Sequence, residues 1–334
     1  MQRRALFFAP FFIAACAAST LANAQKDPKN EPVWPTRPLR IIVGFPGGSS
    51  PDLTARAFAE PLAQALGQPV IVENKVGAAG NIAAAAVANA TDGHTIGLMI
   101  NGNLTIAKLL NPKLAYDPRR DLTPISLIGT SPLVLVAPVR MPGVAPGAPA
   151  PAVLAAARAA GDHWNYGTPG VGTVGHLAME LLKTQAHIAP VHVPYAGYPQ
   201  VATALIAGDL QLSLLPPALA LAQIQAGKLR ALGITASVRS PLAPDLPSLS
   251  EVGVPGFNLE IWNAAAAPST MPRAVVNRLS TLFSEIARSP AMRRTLAQQG
   301  WQVAGTSAQG LANRIASDTA LLGGIIAAQG IRID

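Results

Sequence analysis

The stretch that decides the fold is Leu39-Arg-Ile-Ile-Val-Gly-Phe-Pro-Gly-Gly-Ser-Ser-Pro-Asp52, followed by helical spacing of apolar residues from Leu53 to Leu66. Its first five residues form a short β-rich run, and the glycines and serines after them make a loop that leads into the helix. Downstream, Ala78 to Ala90 is predicted as one alanine-rich helix. Short apolar strands separated by helices are typical of parallel sheets covered on both faces, so the sequence predicts an α/β fold.

These units of strand, loop and helix fall into two sets. The run Ser126 to Pro138 is β-rich, and the stretch from Pro138 to Pro151 is rich in Pro, Gly and Ala, which indicates a crossing between lobes. After the second set, Leu259 to Ala266 is predicted as a returning strand and Pro272 to Ala328 as closing helices. Two α/β units joined by two crossings make a hinged cleft. The predicted bounds are residues 34–135 and 256–334 for lobe 1 and residues 136–255 for lobe 2.

The N-terminus has the features of an export signal. Arg3 and Arg4 precede an apolar run from Ala5 to Leu21, and Ala22-Asn-Ala24 offers a cleavage site. Cys16 follows Ile-Ala-Ala, so a lipid-anchored cysteine is the alternative; both routes predict a periplasmic protein. We favour cleavage after Ala24, which leaves a mature chain without cysteine and therefore without disulfides or thiol chemistry. Residues 1–24 are the predicted signal peptide, and residues 25–33 are a predicted flexible segment.

The charge is basic but dispersed. The formal net charge of +8 falls to +6 when Arg3 and Arg4 are removed. In the rest of the chain adjacent arginines occur only at Arg119-Arg120 and Arg293-Arg294, so we expect no nucleic-acid partner. Two explanations stay open: the charge serves solubility, or it attracts anionic solutes.

The first loop, Pro46 to Asp52, combines three features of an anion site. Glycines let a ligand approach the backbone, hydroxyls donate hydrogen bonds, and a helix N-terminus presents N–H groups with a partial positive charge. The alternative is a tight turn in which Ser50 or Asp52 merely caps the helix. The loop is not a Walker A motif, because no Gly-Lys-Ser/Thr follows.

The second loop, Thr168 to Gly175, contains a literal G-x-G-x-x-G between a predicted strand and helix. A dinucleotide site requires an acidic residue about 20 positions later, where this chain has Tyr195-Ala196-Gly197 instead. We therefore predict no cofactor, and interpret the loop as a second anion cradle. His176 lies one turn inside the helix that follows.

Motifs for catalysis are missing from the sequence. It has no G-x-S-x-G elbow and no H-E-x-x-H pair, so we expect neither a catalytic residue nor a metal site. Five histidines without ligand spacing are interpreted as structural or exposed: His94, His163, His176, His187 and His192.

Over nearly the whole predicted mature chain, a series of short strings resembles the receptors of tripartite tricarboxylate transporters, also called the Bordetella uptake gene family. Their order and spacing carry the resemblance, since each string alone is weak. The strings include Trp34–Val43, Phe45–Gly48, Leu66–Asn74, Gly77–Ile82, Thr91–His94, Tyr116–Pro118, Asn165–Gly167, His192–Tyr195, Ala226–Leu232 and Pro244–Pro247.

The resemblance implies a type II periplasmic binding-protein fold without enzymatic activity. Such a receptor encloses a small carboxylate-bearing solute between its lobes and passes it to integral membrane permease subunits; we expect a monomer. The ligand-binding residues it suggests are Gly47, Gly48, Ser49, Ser50, Asp52, Asn101, Asn103, Thr105, Thr168, Gly170, Gly172, Thr173, His176, Tyr195, Ala196 and Gly197.

Two departures from the family pattern bear on the ligand. Leu215-Pro216-Pro217 stands where many relatives carry an acidic residue, so a ligand ammonium would lack its partner. The third loop, Asn101-Gly-Asn103, replaces a segment rich in Ser and Thr. We therefore expect a plain carboxylate, a dicarboxylate or an aromatic acid rather than an amino acid. A sensor that engages a signalling protein, and an exported enzyme, are the alternative functions.

Overall fold

The computed structural model describes residues 34–141 and 143–331. The predicted signal peptide, the lipid-anchor alternative at Cys16 and the predicted flexible segment all lie outside the described residues. Within the described ranges, no helix combines the length and the apolar character that a membrane span requires.

The first sheet combines strands from the two ends of the described chain. Its strands are β1 (Leu39–Val43), β2 (Val70–Asn74), β3 (Thr95–Ile100), β4 (Leu122–Pro132), β10 (Glu260–Pro268) and β11 (Gln302–Val303). They lie in the order β11-β4-β10-β3-β1-β2. β1 pairs in parallel with β2 and β3, whereas β10 runs antiparallel to β3 and β4.

The second sheet repeats this arrangement. Its strands are β5 (Val134–Pro138), β6 (Asn165–Thr168), β7 (Val191–Pro194), β8 (Leu212–Leu215) and β9 (Leu229–Ile234), in the order β7-β6-β8-β5-β9. β6 pairs in parallel with β7 and β8, and β5 runs antiparallel to β8 and β9. Both sheets are therefore mixed rather than wholly parallel as predicted, because the strand that follows each crossing enters its sheet from the opposite direction.

Helices cover both faces of the two sheets. In β5, Leu135 and Ala137 contribute to one apolar core of the second sheet, and Val134 and Val136 contribute to the other. The helices are α1 (Ser50–Leu66), α2 (Asn81–Ala88), α3 (Asn101–Thr105), α4 (Ala107–Leu110), α5 (Pro118–Asp121), α6 (Ala150–Ala160), α7 (Val174–Ala186), α8 (Tyr198–Ala207), α9 (Pro217–Gln225), α10 (Arg273–Arg288), α11 (Pro290–Gln298) and α12 (Ala308–Gln329).

The chain passes from the first sheet to the second at Leu133, between β4 and β5. The Pro138 to Pro151 stretch, which the sequence suggests as the crossing, instead follows β5 within the second lobe. The composition misleads because Pro132 divides one continuous apolar run into two strands of different sheets. The return crossing lies between β9, which ends at Ile234, and β10, which begins at Glu260.

Thr235 joins the two crossings. Its backbone N–H donates to the Leu133 carbonyl (2.9 Å), and its carbonyl accepts from the Leu259 N–H (3.0 Å). Its hydroxyl accepts from the Leu133 N–H (2.8 Å) and donates to the Leu259 carbonyl (2.6 Å). Thr235 is fully buried, so these hydrogen bonds hold the crossing segments side by side away from water.

We expect Thr235→Val to destabilise the protein by about 2–4 kcal/mol, because valine has nearly the same shape but leaves a buried donor and a buried acceptor without the hydroxyl. The free energy of unfolding, measured in urea, checks this. Thr235→Ser, which keeps the hydroxyl, is the matched control and should retain most of the stability. Equal losses in both variants would contradict a hydrogen-bonding role.

Candidate ligand-binding site

A cavity between the two sheets, which we call the central cavity, lies where helices α1, α7 and α8 begin. Residues from both lobes form its walls, and its volume is about 40 Å³. Because parallel strands end at the same edge of a sheet, the loops after β1, β3, β6 and β8 meet there. The lining residues are Phe45, Ser49, Ser50, Pro51, Ile100, Pro169, Thr173, Val174, Gly175, Tyr198, Pro216, Ile261, Asn263 and Trp301.

Helix α1 begins three residues earlier than the sequence suggests, at Ser50. Ser49 is its N-cap residue and Pro51 lies in its first turn, where a proline costs no hydrogen bond. The Ser49 hydroxyl is buried and has no hydrogen-bond partner among the described residues. Ser49 and Ser50 both line the central cavity, so the start of α1 faces it.

Asp52 is not the helix cap that one interpretation of the sequence proposes. It lies inside the first turn of α1, and its side chain is almost fully buried. Its carboxylate accepts hydrogen bonds from the Gly48 N–H (2.8 Å), the Asn74 side-chain amide (2.8 Å) and Arg56 Nε (3.0 Å). Asp52 therefore fixes the shape of the first loop without lining the central cavity itself.

These partners also set the acidity of Asp52. Burial alone would raise its pKa, but the hydrogen bonds from Arg56, Asn74 and Gly48 outweigh burial and hold the pKa below its usual value. The carboxylate is therefore ionised at neutral pH. Gly47 and Gly48 are exposed at the tip of this loop, and Gly48 has the left-handed φ of 79° that glycine tolerates best.

The second loop is closed by its own side chains. Thr173 caps α7, accepting from the His176 N–H (3.3 Å) and donating to the Gly170 carbonyl (2.9 Å). The Gly172 N–H donates to His176 Nδ1 (3.3 Å), and the Gly170 N–H donates to the Thr168 hydroxyl (3.3 Å). The glycine amides that the sequence suggests as ligand donors are therefore already engaged within the loop.

Further unpaired donors lie at the first residues of the helices. The backbone N–H groups of Ser50, Val174 and Gly175 make no hydrogen bond within the described part of the chain. All three residues line the central cavity. Unpaired N–H groups at helix N-termini carry partial positive charge, so the cavity is suited to a negatively charged group.

A partly buried polar cluster supports the second loop on the side away from the central cavity. The Thr168 hydroxyl and His192 Nε2 are 2.6 Å apart, and the His192 ring stacks on the rings of His176 and Tyr166, with centroids 4.3 and 4.9 Å away. The Tyr166 hydroxyl donates to Glu180, which also pairs with Lys183. None of these six side chains lines the central cavity.

Burial controls the charge of the two histidines. It lowers the pKa of His192 to about 4, with the nearby His176 and Lys183 adding to the effect against Glu180. Burial also lowers the pKa of His176. Both rings are therefore neutral at pH 7, which allows His176 Nδ1 to accept the Gly172 N–H. His176 positions the loop and lies behind the cavity wall.

The third loop points its polar side chains into lobe 1. Asn101 donates to the Glu260 carbonyl (3.1 Å), and Thr105 donates to the Asn101 carbonyl (2.7 Å). Asn103 donates to the Ala79 carbonyl (3.0 Å) and to Asn81 Oδ1 (2.9 Å). None of the three lines the central cavity, to which this segment contributes Ile100.

Tyr195 and Ala196 border a different space in the same cleft. With Gly170 they face the segment Gly77–Gly80 across a cavity of about 340 Å³, which we call the glycine-turn cavity. Gly197 packs close to the opposite lobe, since a Cβ atom added to it would lie 3.4 Å from Pro46. The central cavity instead receives the next residue, Tyr198, which the sequence prediction missed.

The predicted helix from Ala78 to Ala90 is wrong at its start, where the structure has the turn Gly77–Gly80 instead. Helix α2 begins only at Asn81, and all four residues of the turn have positive φ angles. Ala78 and Ala79 adopt φ angles of 48° and 53°, which cost free energy for residues with a side chain. Alanine composition alone favours a helix here; the hydrogen bond from Asn103 to the Ala79 carbonyl helps to hold the turn.

The comparison with known families identifies the chain. The family described as "Tripartite tricarboxylate transporter family receptor" matches residues 54–331, so this chain belongs to that family. BugT of Bordetella pertussis is 32% identical over 275 residues, which cover 82% of this chain and 83% of BugT. The family is one of binding receptors, and the chain is accordingly a receptor rather than an enzyme.

Solved structures agree with this assignment. A protein from R. palustris solved with adipate is 29% identical, with a TM-score of 0.85 over 90% of this chain and 99% of that one. MatC from Rhodopseudomonas palustris with bound malate is 30% identical, with a TM-score of 0.81 over 88% of this chain and 100% of that one. The two-lobed type II binding-protein fold implied by the sequence resemblance is confirmed.

Asp52→Asn tests whether the Asp52 carboxylate holds the first loop in shape. We expect a loss of about 2 kcal/mol in unfolding free energy at pH 7, because an amide group cannot accept from all three donors. The pKa of Asp52 is lower in the folded state than in the unfolded state. The extra stability of the wild type over Asp52→Asn is therefore present above the unfolded pKa of about 3.9 and is lost as the pH falls through the folded pKa. Urea unfolding at a series of pH values measures this.

The exposed Asp162→Asn serves as the control and should change stability by no more than about 0.5 kcal/mol. Ligand affinity of Asp52→Asn should stay within about tenfold of wild type, since the side chain does not line the cavity. Complete loss of binding by a folded Asp52→Asn protein would instead indicate direct contact with the ligand.

Proposed function

We propose that this protein is a periplasmic receptor that captures a small carboxylate-bearing solute between its two lobes and delivers it to a membrane permease of the tripartite tricarboxylate type. The observation that supports this proposal most is the group of unpaired N–H donors at the starts of α1 and α7 around the central cavity. Two similar proteins solved with the carboxylates malate and adipate support the ligand class. The predicted export signal supports the periplasmic location, and family membership supports the permease partner.

In the proposed complex the ligand carboxylate is bound by the Ser50, Val174 and Gly175 amides and the Ser49 hydroxyl. Amide donors held by the folded backbone need little reordering on binding, and hydrogen bonds to a charged acceptor are worth more than neutral ones. Three other residues suggested by the sequence support these donors and do not contact the ligand themselves. Asp52, Thr168 and His176 hold the loops in shape.

Contacts across the cleft allow the lobes to enclose the solute. A Cβ atom on Gly102 would lie 3.3 Å from the Gly172 carbonyl oxygen of the opposite lobe, and one on Gly170 would lie 3.2 Å from Ala79 Cβ. The two lobes therefore lie in close contact at both of these places. Excluding water strengthens the attraction between helix N-termini and a bound anion.

Val174→Pro tests the amide set. Val174 is the first residue of α7, where proline is well tolerated, and the preceding Thr173 has an extended conformation compatible with proline. The substitution removes one N–H while the helix start is kept. Losing a hydrogen bond to a carboxylate should weaken binding by about ten- to a hundredfold.

Val174→Ala, which keeps the N–H, is the matched control. Ligands are first found by a thermal-shift panel of mono-, di- and tricarboxylates, since a ligand at 100 times its dissociation constant stabilises by about 2.7 kcal/mol. Titration calorimetry with the best ligand then compares the variants. Equal affinities of folded Val174→Pro and Val174→Ala would contradict the proposed contact, and turnover of the bound ligand would contradict a receptor role.

A further inference from the structure

Helix α12, Ala308–Gln329, packs on both lobes. It contacts β4 and α3 of lobe 1 and α7 of lobe 2. The helix follows both chain crossings in the sequence, so it joins the lobes through non-covalent contacts alone. Any change in the angle between the lobes must therefore be accommodated within this helix or at its contacts.

The N-terminal part of α12 is fixed to lobe 1. Leu311 is fully buried in the same apolar cluster as Trp262 of β10. The Trp262 indole N–H donates to one carboxylate oxygen of Asp318 (2.6 Å), and Arg314 Nε donates to the other (2.8 Å). Trp262 and Asp318 are buried, and hydrogen bonds to a charged acceptor are strong, so this part of the helix is held firmly.

The helix then passes the return crossing. Leu322 lines a small cavity of about 60 Å³ together with the crossing residues Asn258, Leu259 and Glu260. The backbone of Leu259 is hydrogen-bonded to Thr235, the residue that joins the two crossings. Leu322 therefore lies beside the hinge between the lobes.

The C-terminal part of α12 packs on the core of lobe 2. Leu322 is buried in the apolar cluster that contains Leu177 and Leu182 of α7. Ile325 and Ile326 pack against the same cluster, which also extends to α4 of lobe 1. Helix α12 therefore bridges the lobes, with its N-terminal part bound to lobe 1 and its C-terminal part in contact with lobe 2.

Two glycines, Gly323 and Gly324, follow Leu322 inside this helix. Glycine in a helix interior is destabilising relative to alanine. Packing does not require it here, since a Cβ atom on Gly324 would meet no atom within 4 Å. A Cβ atom on Gly323 would have Leu109 Cδ1 as its nearest neighbour at 3.4 Å, which is an ordinary contact. Pairs of such small residues are among the few places where helices kink.

We infer that α12 is a hinge element in addition to the two crossings, and that it bends at Gly323–Gly324 when the lobes open. In the structure the lobes touch across the cleft and α12 is one continuous helix through the glycine pair. A stiff helix bound to both lobes would oppose their separation. The glycine pair, placed just beyond the hinge, lets the two parts of α12 each follow their own lobe.

Gly323→Ala/Gly324→Ala tests the bend. The matched control is Asn313→Ala/Ser317→Ala, which places two alanines at exposed positions in the part of α12 that is fixed to lobe 1. Both double variants should unfold at a higher urea concentration than the wild type, because alanine is the best helix former. A lower midpoint for Gly323→Ala/Gly324→Ala would show that packing requires the glycines, and would overturn the inference.

The distance between the lobes is measured in ligand-free protein by double electron–electron resonance between two nitroxide labels. Cys16→Ser removes the one cysteine of the sequence, and the labels are attached through Glu60→Cys in lobe 1 and Gln225→Cys in lobe 2. Both of these positions are exposed. The measurement needs no ligand, so its outcome is independent of the proposed function.

We expect the wild type and the control to show a component at longer distance, which comes from open molecules. The weight of this component should fall about threefold or more in Gly323→Ala/Gly324→Ala, because the stiffened helix opposes opening. A wild-type distribution without a longer component, or equal weights in the two double variants, overturns the inference.

Discussion

The N-termini of α1 and α7 face one cavity with uncharged walls, and the rest of the account depends on that electrostatic arrangement. Each helix presents backbone N–H groups that its own turns cannot satisfy. In a cleft closed to water their partial charges attract an anion without a charged side chain. The topology enforces this placement, because the parallel strands that precede the helices end at the same edge of each sheet.

The cleft depends equally on how the two sheets are joined. Thr235 links both crossings through backbone and side-chain hydrogen bonds, so the lobes are connected by a narrow pair of adjacent segments. Elsewhere in the cleft, glycines let the lobes approach closely, as at Gly102 and Gly172. Hinge and contact surface together define a site that can enclose a solute, which agrees with the receptor family to which the chain belongs.

Much of the fold could be predicted from local sequence. Short apolar strands are separated by loops rich in glycine and by helices, and β1 has the predicted bounds Leu39–Val43. The predictions failed where tertiary contacts override local preference. Ala78 and Ala79 form a left-handed turn instead of a helix, and Leu133 marks a crossing inside one apolar run.

The site could be predicted as a set of loops but not as a set of donors. Asn101 and Asn103 are of a type that binds ligands, yet the structure turns both toward lobe 1. The donors proposed at Val174 and Gly175 are backbone N–H groups, which no side-chain pattern reveals. Trp301 is distant in sequence from the other wall residues, so only the folded chain brings it to the cavity.

The crystal structure of the protein with its co-purified solute tests the central claim most directly. The account predicts carboxylate oxygens within about 3.2 Å of the Ser50, Val174 and Gly175 nitrogens, at hydrogen-bonding distance. A solute whose carboxylate lies outside the central cavity, or is held there by a charged side chain, would contradict the claim.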